Sequence, residues 1–179
     1  HTKSHVVRFS IFFIMMIFIS FINIKFWHAT AYLFYILVLG LLFMASFYGV
    51  TASGSQRWIN LYFINLQPSE LMKIAIIIFL AKYYHRMQIT NVNKFKNLLI
   101  PIIVLILPIF LVIAQPDLGT SILIALSGIV VLWLVGINLK YFVYSFLLFI
   151  ISAPFVISFL KPYQKLRILT FLNPDKDPL

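Results

Sequence analysis

Cysteine is absent from the 179 residues, which excludes disulfides and thiolate metal sites. Carboxylates are scarce. Glu70, Asp117, Asp175 and Asp177 are the only four, against 14 Lys and Arg, and the formal net charge is +10. Charged residues of both signs make up 10% of the chain, where a soluble domain carries roughly 25%. Hydrophobic residues make up 63%, so too few charges remain to wet a globular surface. A soluble globular fold is therefore excluded, and so is disorder, which requires low hydrophobicity. The cations sit at the ends of apolar runs, an arrangement that belongs to membranes and not to nucleic-acid binding. In lipid each carboxylate is costly and needs a reason to be there.

What the chain does have is long apolar runs. A helix crosses a ~30 Å hydrocarbon core with about 20 residues, and six runs approach that length: Val6–Ile24, Ala29–Val50, Pro68–Tyr84, Leu98–Ala114, Leu118–Ile137 and Tyr141–Leu160. They predict an all-α, polytopic integral membrane bundle of about six transmembrane helices, a single membrane domain over 1–179. Pro101 and Pro108 interrupt the fourth run. Each removes an amide and frees a carbonyl, which suits a helix lining a cavity. The chain opens on His1 and stops at Leu179 after a polar stretch, so both ends read as cuts in a longer sequence. No signal peptide is visible, because Val6–Ile24 is long enough to span and lacks a small-residue cleavage site.

Spans alternate, so the connections fall on two sides. Residues 25–28, 85–97 and 136–140 share one side; 51–67, 115–117 and 161–179 share the other. Arg86, Lys94 and Lys96, with Lys82 just inside the preceding helix, mark loop 85–97 as cytoplasmic by the positive-inside rule. The tail carries Lys161, Lys165, Arg167 and Lys176 on the opposite side. Those cations are assigned to an anionic ligand and not to topology.

Four constellations carry chemistry. Gln67-Pro68-Ser69-Glu70 with Lys73 opens a helix with Pro at its first position and an acid in its first turn. Glu70 and Lys73 lie on one face, either as an ion pair joining helices or as the polar floor of a cavity opening outward. Gln115-Pro116-Asp117-Leu118-Gly119-Thr120 repeats the pattern, and Asp117 serves either as a helix cap or as a site residue. Arg57-Trp58 offers a planar fork for phosphate or an interfacial anchor. The tail, from Tyr163 to Pro178, sets Asp175 and Asp177 near several cations. A carboxylate that takes a proton from a hydroxyl, beside cations that hold a diphosphate, suits sugar transfer from a lipid diphosphate. The same residues also suit a plain turn. His28 and His85 read as interface residues, and no pair of histidines has metal spacing.

Taken together, Gly54-Ser55-Gln56-Arg57-Trp58-Ile59, Gln67-Pro68-Ser69-Glu70 with Lys73, Gln115-Pro116-Asp117-Leu118-Gly119-Thr120, and Tyr163-Gln164 through Arg167 to Asp177-Pro178 resemble the SEDS family (shape, elongation, division and sporulation). Residues 127–137 and 173–179 lean toward its RodA branch. The resemblance implies a ten-helix family fold whose first and last three helices lie outside this chain. It implies a bacterial cytoplasmic-membrane, multi-pass enzyme whose active face, with loops 51–67 and 161–179, is outside the cytoplasm. The activity implied is an inverting glycosyltransferase that polymerises lipid II into glycan strands and releases undecaprenyl diphosphate. The implied partner is a class B penicillin-binding protein; no nucleic acid is involved. Asp177 matches the family's catalytic acid, and Arg57, Glu70, Lys73 and Asp117 match its polar cavity. Lys161, Lys165 and Arg167 join them as diphosphate-binding candidates. No protein metal site is expected, and a divalent cation with the diphosphate is the one cofactor the reading allows. The rival readings are a lipid II flippase, which prolines and the Glu70–Lys73 pair would also suit, and a non-catalytic scaffold of the cell-wall complex.

Overall fold

The computed structural model describes residues 2–52, 55–60, 65–159 and 165. Each apolar run becomes one long helix: α1 (Thr2–Ser20), α2 (Ile24–Tyr48), α3 (Pro68–Tyr84), α5 (Phe95–Ala114), α6 (Leu118–Leu134) and α7 (Leu139–Phe159), with a single turn, α4 (Ile89–Val92), between α3 and α5. The boundaries follow local chemistry. Asn23 caps α2 by accepting from the Lys25 amide at 2.9 Å. Residues 25–28, expected in a loop, are thereby drawn into the helix, and α1 stops at Ser20. Pro68 opens α3, with Glu70 in the first turn and Lys82 in the last, so both charges oppose the helix dipole. Gly136, at φ 88°, ends α6: its amide bonds to the Trp133 carbonyl and the Ile137 amide reaches the Leu132 carbonyl. That double closure requires a left-handed residue, which glycine supplies without strain.

The stretch expected to be an outer loop, 51–67, contains strands. β1 (Val50–Ala52), β2 (Ser55–Asn60) and β3 (Asn65–Leu66) form an antiparallel sheet in the order β1-β2-β3. Val50 pairs with Trp58 and Ile59 with Leu66. Polar composition hid these strands, because backbone pairing needs no apolar side chain.

The core belongs to α2, α3, α5 and α6. On α2 the buried residues Ala31, Tyr35, Val38, Leu42 and Ala45 recur every three to four positions and form one stripe. They meet Met72, Ala75, Ile76 and Leu80 of α3, and Val104, Leu105, Val112 and Ile124 complete the cluster. Gly128 lets α6 approach α5, since a Cβ there would run into the Leu105 side chain. Outward-facing residues stay apolar: Phe9, Phe12 and Phe18 on α1, Phe146, Leu148 and Ile151 on α7 are all well exposed. Only a hydrocarbon surround, or further helices, makes such a surface stable. Among the described residues α2, with 25 residues, and α5, with 20, are long and apolar enough to cross a membrane by themselves. Shorter apolar stretches occupy Phe9–Ser20, Leu118–Leu134 and Leu139–Ser152.

The two prolines of α5 do not leave open carbonyls. Pro108 frees the Val104 oxygen, four residues back, and the Tyr35 hydroxyl donates to it at 3.0 Å. Pro101 frees the Asn97 oxygen, which accepts from Tyr83 at 3.3 Å and Tyr84 at 3.4 Å. The carbonyls that these prolines free are therefore bonded within the bundle. Tyrosines from α2 and α3 fill the gaps, and both prolines are buried in the helix contacts.

Candidate functional site

The polar residues gather where α3 and α6 begin. β2 carries Arg57 across the helix ends, and its Nη1 lies 2.9 Å from the Asp117 Oδ2. Asp117 caps α6: it accepts from the Thr120 amide at 3.2 Å and the Thr120 hydroxyl at 2.9 Å. Its side chain is 9% exposed, so it is a buried carboxylate with three donors. Burial alone would raise its pKa. The hydrogen bonds from Arg57 and Thr120, helped by the Arg57 charge, outweigh burial and hold the carboxyl below its ordinary value. Asp117 thus caps α6, as one reading of the sequence had it, and also pairs with Arg57.

Gln115 locks the same turn to α2. Its amide nitrogen donates to the Leu42 carbonyl at 3.0 Å and to the Ser46 hydroxyl at 2.7 Å. Nothing in the sequence singled out Ser46, and Gln115 stood out only as part of a repeated Gln-Pro pair. Two donors here have no protein partner: Nε of Arg57 and the hydroxyl of Ser69 are buried and unbonded. Both are suited to an acceptor-rich ligand such as a diphosphate oxygen.

Glu70 and Lys73 pair at 2.8 Å, as their spacing predicts. The Glu70 side chain is 54% exposed, however, which puts the pair at the rim and not in a closed interior. In exposed surroundings such a pair contributes little stability. Of the tail residues only Lys165 is described; its ammonium donates to the Ser158 carbonyl of α7 at 3.1 Å. Lys161, Arg167 and Asp177 lie outside the described residues. No cluster of three or more His, Asp or Glu able to hold a metal ion occurs among the described residues. Below Ser46 and Gln115, α2 and α5 part to leave an apolar groove of about 720 Å³, lined by Leu39, Gly40, Phe43, Ile106, Leu107 and Phe110 among others.

The family of cell cycle proteins comprising FtsW, RodA and SpoVE matches residues 1–179. The probable peptidoglycan glycosyltransferase FtsW of Buchnera aphidicola subsp. Baizongia pistaciae (strain Bp) is 33% identical over 168 residues, covering 94% of this chain and 44% of its own length. The peptidoglycan glycosyltransferase MrdB of Escherichia coli (strain K12) is 38% identical over 146 residues, 81% of this chain and 39% of its own. The chain thus spans about half, or less, of the curated relatives it matches. Among solved structures, a chain from a peptidoglycan synthase complex superposes with a TM-score of 0.83 at 24% identity, over 97% of this chain and 51% of that one. The rod shape determining protein RodA of Thermus thermophilus gives 0.67 at 22% identity, over 74% and 44%. A family match along the whole chain, on a helical fold with apolar spans, means that this membrane protein belongs to the FtsW/RodA/SpoVE family of cell cycle proteins.

Proposed function

We propose that this protein is the lipid-embedded half of a peptidoglycan glycosyltransferase that polymerises lipid II for cell elongation and rod shape. The observation that carries the reading is the family match over residues 1–179, to relatives named for that activity. In this reading all six long helices cross the bacterial cytoplasmic membrane as one domain. Loop 85–97 faces the cytoplasm, and segments 51–67 and 161–179 face outward. The positive charge of Arg86, Lys94 and Lys96 supports that orientation.

The chemistry is a one-step displacement. Asp177 takes the proton from the acceptor sugar hydroxyl. The freed oxygen bonds to the donor's anomeric carbon, the bond to the diphosphate breaks, and undecaprenyl diphosphate leaves with inversion. A positioned base contributes on the order of 10²–10⁴-fold in rate. Arg57, with Lys161, Lys165 and Arg167, holds the diphosphate, while Asp117 aims Arg57, and Glu70 and Lys73 form the rim. A divalent cation would have to be held by the diphosphate itself, and no step is drawn through it. The groove between α2 and α5 gives an isoprenoid tail an apolar path toward the Gln115–Asp117 turn. A class B penicillin-binding protein is the expected partner, consistent with the likeness to a chain from a synthase complex.

Transfer is favoured over flipping. The carbonyls freed by the prolines that would also suit a flippase are bonded by tyrosines, and the relatives are named as transferases. The test uses the protein with all segments its coding sequence supplies. Asp177→Ala should abolish polymerisation of fluorescent lipid II in proteoliposomes while lipid II still binds. Undiminished glycan synthesis would overturn the assignment.

A further inference from the structure

At the opposite end of the bundle the fold assembles a second polar cluster that the proposed transfer does not use. His28, near the start of α2, faces His85, just past the end of α3, with ring centroids 5.0 Å apart. Lys82 reaches across from α3 to donate to the Ala29 carbonyl at 2.9 Å, and its ammonium lies 4.4 Å from the centre of the Tyr32 ring. Arg86 follows His85 and is exposed, as is Lys25, one turn before His28. Nε2 of His28 is buried and has no partner. α2 and α3 thus hold two imidazoles, a lysine and an arginine together.

Among the described residues no carboxylate balances them. Glu70 opens α3, at the end far from Lys82 and His85, and Asp117 opens α6 beside Arg57. Like charges so gathered repel unless an anion joins them. From His28 to Ser46, at the Gln115 lock, α2 advances about 27 Å at about 1.5 Å per residue, close to the thickness of a hydrocarbon core. The cluster is therefore at interface depth, where Trp27 and Tyr32 flank it as interfacial aromatics.

We propose that His28, Lys82, His85 and Arg86 form a site for the phosphate of an anionic phospholipid headgroup in the cytoplasmic leaflet. The inference rests on the membrane orientation and not on the transfer chemistry, so it stands or falls separately from the role of Asp177. Basic pockets between spanning helices on the cytoplasmic side hold such headgroups. Phosphate chemistry fits each member: Arg86 supplies a planar fork, Lys82 has donors left after Ala29, and the His28 nitrogen gains its missing partner. An anion beside the His28 ring favours its charged form, so binding takes up a proton and tightens as pH falls.

Native mass spectrometry of the purified protein tests this with phosphatidylglycerol, phosphatidylcholine and inorganic phosphate as probes. Phosphatidylglycerol should be retained over phosphatidylcholine, more so at lower pH. His85→Gln/Arg86→Gln, both exposed positions, should weaken retention about fivefold or more. Lys94→Gln/Lys96→Gln removes two cations from the same face but spares the cluster, and should leave retention near that of the parent. Equal losses in the two pairs, or no preference over phosphatidylcholine, would overturn the site. Inorganic phosphate that displaces phosphatidylglycerol at equal concentration would overturn the lipid as its occupant.

Discussion

Replacing Tyr35 by Phe removes a single oxygen atom from the centre of the bundle. That oxygen donates to the Val104 carbonyl, which Pro108 leaves without its helical amide. Tyr35 and Val104 are each 6% exposed, so neither water nor lipid can supply a replacement donor. A buried acceptor left unsatisfied costs about 1–3 kcal/mol, while hydrogen bonds between helices in membranes average about 0.6 and reach about 1.7 kcal/mol. The geometry is direct and the site dry, so Tyr35→Phe should cost about 1 kcal/mol. The decisive experiment is a double-mutant cycle with Pro108→Ala, which restores an amide four residues after Val104. In that background the carbonyl has its helical donor, and Tyr35→Phe should cost about half as much or less. Reversible unfolding in mixed detergent micelles, followed by tryptophan fluorescence, measures both costs. Equal costs in the two backgrounds, or a neutral Tyr35→Phe, would refute the link between the proline and the tyrosine.

Other outcomes follow from the same geometry. Tyr83→Phe should be nearly silent in that assay, because the Tyr84 hydroxyl still reaches the Asn97 carbonyl; the Tyr83→Phe/Tyr84→Phe pair should cost more than the two single changes added. Gly128→Ala drives a methyl into Leu105 and should cost about 1–3 kcal/mol. Trimming the obstacle with Leu105→Ala should recover part of that loss, and an unaffected melting curve for Gly128→Ala would contradict the close α5–α6 contact. Asp117 has a folded pKa below its unfolded value of roughly 3.9, so its stabilisation is present above that pH and lost as pH falls through the folded value. Asp117→Asn should therefore be destabilising near pH 7, by about 1–3 kcal/mol for the loss of a part-buried, charge-assisted hydrogen bond, and should flatten the acid limb of the stability profile. An acid limb unchanged by Asp117→Asn would place the titration elsewhere.

The helices were legible because what makes them is local. Apolar runs, Pro68 at a first position and Glu70 in a first turn act within a few residues of themselves. The Glu70–Lys73 pair was legible for the same reason, as both lie on adjacent turns of one helix. The motifs around Arg57 and Asp117 were visible as residue types, but not as partners, because a strand had to carry one to the other across the helix ends. The strands themselves were missed, since their signal is a backbone register and not a pattern of side chains.

The sequence by itself determined that this chain lives in a membrane, where its helices run, and which polar residues need a reason to exist. Four acids in a chain that is 63% hydrophobic leave no other environment. Only the tertiary structure decided who meets whom: Arg57 with Asp117, Gln115 with Ser46, Tyr35 with Val104 and His28 with His85. Hydropathy acts along the chain, but hydrogen bonds and charges act across space. A carbonyl freed by proline or an acid at a helix start therefore acquires its meaning only when packing brings a donor to it.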